Sequence, residues 1–245
     1  MSSDPSNAVP NAPTRDIINA DAMAWLQDPA NKMAGVSVIT SLPDISEVPE
    51  RGFEGWRGFF VQAARLVSAW VPDDGVAIFF QSDIKQDGRW IDKGYWVQRA
   101  LEDTGTHLLW HKVVCRRPPG TVTYGRASYS HMLCFSRGVI PTAHPAFADV
   151  MPDAGHKPWN RAMGTEACMA ACQFVAQQTT CRTVVDPFCG HGTALAVANA
   201  LGMNALGVEL SSRKCRKARA LSFTLDEKGA LAVPDLAATF VPPAL

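Results

Sequence analysis

The chain of 245 residues has no excess of charge, with 23 Lys+Arg against 23 Asp+Glu. A generic polycation of the histone kind is excluded, but a locally basic surface is not, because binding follows the distribution of charge rather than its sum. No run of about 18 uncharged apolar residues is present, so no transmembrane helix and no membrane association are expected. The opening MSSDPSNAVPNAPTRD has neither the basic start nor the apolar stretch of a secretory signal, and the cytoplasm is the expected compartment. None of the seven cysteines (115, 134, 168, 172, 181, 189 and 215) forms a CxxC pair, which argues against a zinc ribbon or thioredoxin-type motif. Cys168 and Cys172, four apart in a helical stretch, read as small buried thiols. The six histidines show no ligand spacing, and no metal is inferred. Internal repeats and low-complexity segments are also lacking.

What is there is an ordinary globular composition, 47% hydrophobic and 19% charged, at a length that supports one substantial core. Residues 1–13, rich in Ser, Asn, Pro and Ala, read as a flexible lead-in, and 14–245 as one domain. From Arg15 onward strand-like and helical runs alternate. Strands are expected at 17–19, 35–40, 75–81, 107–115, 129–136, 183–186 and 205–210. Helical segments are expected at 21–26, 56–70, 96–104, 161–177 and 194–202, with a basic helix capped by Ser211. Residues 137–158, with four prolines, read as irregular. Repeated β-then-α segments indicate an α/β fold, a Rossmann-like doubly wound and mostly parallel sheet with helices on both faces.

The most informative segment is VVDPFCGHGTALAVANALGMNALGVEL, residues 184–210. A strand ends in Asp186, a loop holds Gly190 and Gly192, a helix begins near Thr193, and the next strand ends in Glu209. In a doubly wound sheet ligands sit beyond the carboxyl ends of strands, where glycines let backbone approach them and a helix N-terminus offers free N–H groups. A later acid suits ribose hydroxyls. Leu195 stands where a GxGxxG loop has its third glycine, and no GK[ST] follows, so dinucleotide and P-loop readings lose ground. Asp186 at the loop's mouth repels a pyrophosphate but suits an ammonium, as S-adenosylmethionine carries.

DPFCGHGT followed by GVEL resembles motifs of the S-adenosylmethionine-dependent methyltransferases that act on amino groups of nucleic-acid bases; their usual form is DPFxGSGT, and His191 replaces the common Ser. The cofactor loop comes late in the chain, and the remaining segments precede it. GVSVITSLPD (35–44) matches the strand that ends in [DNS]PP[YFW]. DIINADAMAWL (16–26) resembles the "GD" segment, LLWHKVVCRRPP and YSHMLCFSRG resemble the strands that follow the acceptor motif, and HKPW (156–159) resembles the "KP" start of the helix before the cofactor loop. This is the circularly permuted, β-class order of a class I methyltransferase, over roughly residues 15–220.

The resemblance implies cofactor contacts at Asp186, Phe188, Cys189, Gly190, Gly192, Thr193 and Glu209, with Asp21 at the adenine and Lys157 and Thr165 toward the methionine end. It implies a catalytic acceptor loop of Ser41, Leu42, Pro43 and Asp44, in which the Ser41 side chain and the Leu42 carbonyl accept the hydrogens of the target amine. Asp44 stands where the family has an aromatic that stacks on the base. A carboxylate cannot stack; it either accepts a proton or hydrogen bond from the substrate or caps the segment that follows.

From Thr104 to Ala148 there is no Asp or Glu, while Lys112, Arg116, Arg117, Arg126 and Arg137 fall inside, with Tyr124 and Tyr129. That pattern fits a surface for phosphates and bases, or else a basic loop that balances acidic neighbours. Arg116, Arg117, Tyr124, Arg126 and Tyr129 are the substrate-binding candidates, within candidate loops at 115–157. Because no recognition domain is visible, RNA is expected over DNA, or a protein partner that reads the target. Methylation of a small molecule or protein, and a degenerate methyltransferase fold serving as a binding subunit, remain alternatives.

Overall fold

The computed structural model describes residues 12–142 and 147–232; most of the lead-in expected at 1–13 lies outside them. In chain order the elements are β1 (Arg15–Asn19), α1 (Ala22–Gln27), β2 (Val36–Thr40), α2 (Gly52–Trp70), β3 (Ala77–Gln81), β4 (Ile84–Gln86), β5 (Arg89–Ile91), α3 (Lys93–Leu101), β6 (His107–Cys115) and β7 (Tyr129–Ser136). There follow β8 (Val150–Met151), α4 (Thr165–Gln178), β9 (Thr183–Asp186), α5 (Thr193–Ala200), β10 (Asn204–Glu209), α6 (Ser212–Ala220), β11 (Thr224–Leu225) and β12 (Leu231–Ala232). Among the described residues no helix is long and apolar enough to cross a membrane.

Eight strands form one sheet in the order β1-β10-β9-β2-β3-β7-β6-β8. The pairs from β1 through β3 are parallel, and β7 runs antiparallel between β3 and β6. Every residue of β2 and β3 is buried, as the apolar runs VSVIT and AIFFQ require of strands covered on both faces. Alternation divides the side chains between two cores. Ile78, Phe80, Met132, Cys134 and Val184 pack with α4, α5 and α6, while Ala77, Phe79, Leu133, Phe135 and Val185 pack with α1, α2 and α3.

The differences from the sequence expectation have local causes. Helix α2 starts one turn before its apolar stripe, after two 3-10 turns at Ile45–Glu47 and Pro49–Arg51. Helix α4 starts at Thr165, not 161, because Gly164 takes φ +99 immediately before it. The β4–β5 hairpin turns on Asp87-Gly88, both at positive φ, the pattern that Asp-Gly favours. Strand β8 lies in the segment expected to be irregular, parallel to β6.

Chain direction places the site. β9 leads through α5 to β10 on one side, while β2 leads through α2 to β3 on the other side and the opposite face. The chain diverges between β9 and β2, which opens a crevice at their carboxyl ends.

Candidate cofactor pocket and acceptor loop

A cavity of about 250 Å³ fills this crevice. Asp21, Ser41, Pro43, Asp186, Phe188, Cys189, Gly190, Thr193 and Glu209 all line it, brought together from the ends of β1, β2, β9 and β10.

Asp186 is buried, and its Oδ1 accepts from Thr40 Oγ1 at 2.7 Å and from the Phe188 N–H at 3.1 Å. Burial pushes its carboxyl up to about 7, with the Glu209 charge adding to the rise and the two hydrogen bonds opposing it. Glu209 secures the glycine loop: one oxygen accepts the Gly190 N–H at 3.1 Å, the other the Ser211 N–H at 2.7 Å. A carboxylate has about four acceptor positions, so hydroxyl donors still find room there.

Gly190 and Gly192 hold φ +55 and +76, a region costly for other residues. A Cβ at Gly192 would stand 3.0 Å from Ala218 Cβ, and one at Gly190 3.1 Å from the Trp159 ring. Thr193 opens α5, and its buried hydroxyl has no hydrogen-bond partner among the described residues although it borders the cavity. Burial raises the Cys189 thiol well above its ordinary range, with Asp186 and Glu209 adding to the effect, so it stays protonated and is no nucleophile.

On the opposite wall the acceptor loop is pinned from below. The Trp56 indole N–H donates to the Pro43 carbonyl at 3.0 Å, and the Leu42 side chain is buried in the α1–α3 core. Asp44 caps the 3-10 turn at 45–47: its side chain accepts from Ser46 N, and Glu47 reaches back to Asp44 N. It also pairs with the buried Lys93 at 3.1 Å and does not line the cavity. Of the two roles open to Asp44, the capping geometry is the one formed.

Lys93 is anchored in turn. Its N–H donates to Asp83 Oδ1 at 2.9 Å; Asp83 Oδ2 accepts from Trp90 Nε1 and lies 3.0 Å from His131 Nε2, whose Nδ1 is 2.9 Å from His111 Nε2. Burial acts to raise the Asp83 carboxyl, but these hydrogen bonds and the His131 charge outweigh it and hold the group low. Asp83, Asp92 and His131 place three ligand-type atoms within 4.8 Å of one another. Both carboxylates are already engaged by backbone N–H groups, of Lys93 and Tyr95.

Thr165, Lys157 and the basic and aromatic candidates lie outside the cavity, while Asp21 lies at its border. Thr165 is buried at the start of α4, and Lys157 sits near Arg116 and Arg117; neither lines the cavity. Asp21 borders the cavity as the N-cap of α1, where Oδ1 accepts from Ala24 N. Gly192 shapes the loop without lining the cavity. Arg116, Arg117, Tyr124, Arg126 and Tyr129 gather beyond the acceptor loop, along the same edge of the sheet. Lys112 and Arg137 are taken by Asp149 and Asp73.

Sequence reasoning missed several groups. Trp159 stacks on His191 with ring centroids 4.3 Å apart and covers Gly190. Glu47 reaches Arg161 at 3.3 Å and Lys214 at 3.9 Å; all three line the cavity. Thr40 and Trp159 adjoin recognised motifs and were within reach. The Glu47 pairs join residues more than 100 positions apart and leave no local signal.

The sheet order, the reversed strand β7 and the glycine-loop crevice define a class I methyltransferase fold with its motifs in permuted order. A candidate DNA modification methylase from Thermus thermophilus superposes with a TM-score of 0.64 at 19% identity, over 84% of this chain and 92% of the other. The cytosine-N4-specific PvuII DNA methyltransferase gives 0.63 at 14%, over 88% and 89%. The M1.HpyAVI–SAM complex gives 0.55 at 14%, over 84% and 97%. No family model and no curated protein sequence matches the chain.

Proposed function

We propose that this protein is an S-adenosylmethionine-dependent methyltransferase that methylates an exocyclic amino group of a DNA base. The observation that carries this reading is one cavity that joins two unlike walls. Asp186, Gly190, Thr193 and Glu209 form one wall, and Ser41 of the acceptor loop stands on the other. The cofactor supplies a methyl group activated by a sulfonium. The donor set fits it: a buried carboxylate with no cation against it suits the ammonium, Glu209 suits ribose hydroxyls, and the Thr193 hydroxyl lacks a partner. The solved structures of this fold include complexes with that cofactor.

An exocyclic amine is a poor nucleophile because its lone pair is delocalised into the ring. On this reading Ser41 Oγ and the Leu42 carbonyl accept its hydrogens and favour the pyramidal form; Ser41 lines the cavity, and the Pro43 carbonyl is already taken by Trp56. The protein's remaining work is to hold the amine in line and keep water out. The expectation of RNA has no support in the similar structures named above, two of which are described as acting on DNA, and DNA is therefore the substrate proposed. The cytoplasm is the proposed compartment.

Transfer of methyl-tritiated cofactor into separate DNA, RNA, protein and metabolite fractions tests this reading. Label in DNA that Asp186→Ala abolishes supports it; label confined to protein or metabolites contradicts it. Label confined to RNA moves the substrate. Absence of cofactor binding by calorimetry leaves only a binding subunit.

A further inference from the structure

The carboxyl edge of the sheet carries its functional groups in spatial order. Glu209 and Asp186 end β10 and β9, Ser41 follows β2, and next come the β4–β5 hairpin after β3 and the loop 116–128 between β6 and β7. The hairpin and loop form one structure. An isolated bridge joins Ile84 to Arg126, and Lys85 Nζ lies 4.9 Å from the Tyr124 ring centroid and 6.0 Å from that of Trp90. Tyr124 is fully exposed and Trp90 44% exposed, so both rings present open faces beside the Lys85 ammonium.

Behind them stand four cations. Arg116 is lowered chiefly by burial and next by Arg126 and Arg117; Lys157 is lowered by burial and then by Arg116, against an opposing effect of Asp153. Among the described residues no carboxylate lies within salt-bridge distance of any of the four. The acids nearby are Asp153, which acts on Lys157, and Asp83 and Asp92, which face Tyr129 and are engaged by Trp90, Lys93, Tyr95 and His131. Like charges gathered with no salt bridge among the described residues are matched by a polyanion, and exposed aromatic faces beside them by unpaired bases.

We propose that this hairpin-and-loop surface binds a single-stranded segment of DNA, its phosphates on Arg116, Arg117, Arg126 and Lys157 and its bases on Tyr124 and Trp90. The inference rests on the nucleic-acid reading above and adds the place and form of the substrate. The acceptor loop then lies between cofactor and strand, the order that transfer requires.

Fluorescence anisotropy with a labelled 20-nucleotide DNA strand, its duplex and the RNA of the same sequence provides the test, on the full chain. The single DNA strand is expected to bind tightest. Arg116→Gln/Arg117→Gln/Arg126→Gln should weaken it at least tenfold and flatten the log-affinity against log-salt slope by about 2, roughly 0.7 per lost contact. Tyr124→Ala should cost about fivefold or more. Cofactor affinity by calorimetry should stay unchanged. Because Arg116 is half-buried, Arg117→Gln/Arg126→Gln serves as a second variant with both changes on exposed residues. Unaltered DNA binding in all three variants overturns the surface and leaves the methyltransferase reading standing. Tighter binding of duplex or RNA overturns the occupant. No binding of any nucleic acid overturns both this surface and the nucleic-acid substrate.

Discussion

Asp186 shows how one residue carries both a cost and a use. Its carboxyl is raised to about 7 by burial, so the folded ligand-free protein holds that proton more tightly than the unfolded chain does. The contribution to stability is therefore complete below about pH 4 and is lost as pH rises through about 7. Melting temperatures from pH 4 to 8 should fall on this account, and Asp186→Asn should remove that fall. Cofactor affinity should run the opposite way and strengthen as pH rises through about 7, because an ammonium favours the ionised carboxylate. Calorimetry across that range checks it; affinity independent of pH would remove the ammonium from Asp186. Gly192 is a second case. Gly192→Ala puts a Cβ at φ +76 against Ala218, so a loss of about 1–2 kcal/mol is expected in chemical denaturation, with weaker cofactor binding. Both positions were legible in the sequence, since DPFCGHGT fixes residue type and spacing. The missing partner of Thr193 was not, because satisfaction of a hydroxyl depends on neighbours that sequence does not place.

At the scale of elements, the acceptor segment is where a local reading and the folded geometry part. The strand ending at Thr40 and the Ser-Leu-Pro-Asp loop were readable from an apolar run that stops at a proline. Whether Asp44 faces the substrate depended on Lys93, 49 positions away, whose buried ammonium approaches it at 3.1 Å. Asp44→Ala removes a cap, worth about 1 kcal/mol, and leaves that ammonium unpaired. The melting temperature should drop by about 2–4 °C for each kcal/mol lost. Asp44→Asn keeps the cap and should fall less. Equal losses in differential scanning calorimetry would mean that only the charge matters. Trp56→Phe removes the N–H that holds the Pro43 carbonyl, so turnover should fall while cofactor affinity is kept. The hairpin at 84–91 went unread: its strands are only three residues long, too short for periodicity to register, and the Asp87-Gly88 turn was the one local signal for it.

For the molecule as a whole, a neutral sum conceals a polar layout along one edge of the sheet. The acids that line the cavity stand at the ends of β9 and β10, and beyond β3 and β6 stand cations that form no salt bridge among the described residues. The parallel sheet was readable because its strands alternate with helices of ordinary length. The permuted order was readable from five segments in one sequence order. What the sequence withheld was the sorting of the acid-free stretch: Lys112 and Arg137 go to structural pairs with Asp149 and Asp73, and the remaining arginines join Lys157 from another segment.

The central claim is that the Asp186–Glu209 pocket delivers a methyl group to a base amine held at Ser41. Nucleoside mass spectrometry of DNA incubated with the protein and S-adenosylmethionine tests it most directly. The account predicts a nucleoside carrying one added methyl on its exocyclic nitrogen, formed by the wild type and lost in Asp186→Ala. DNA that remains unmethylated while the cofactor is bound, or methyl groups found on ring carbon, would contradict it.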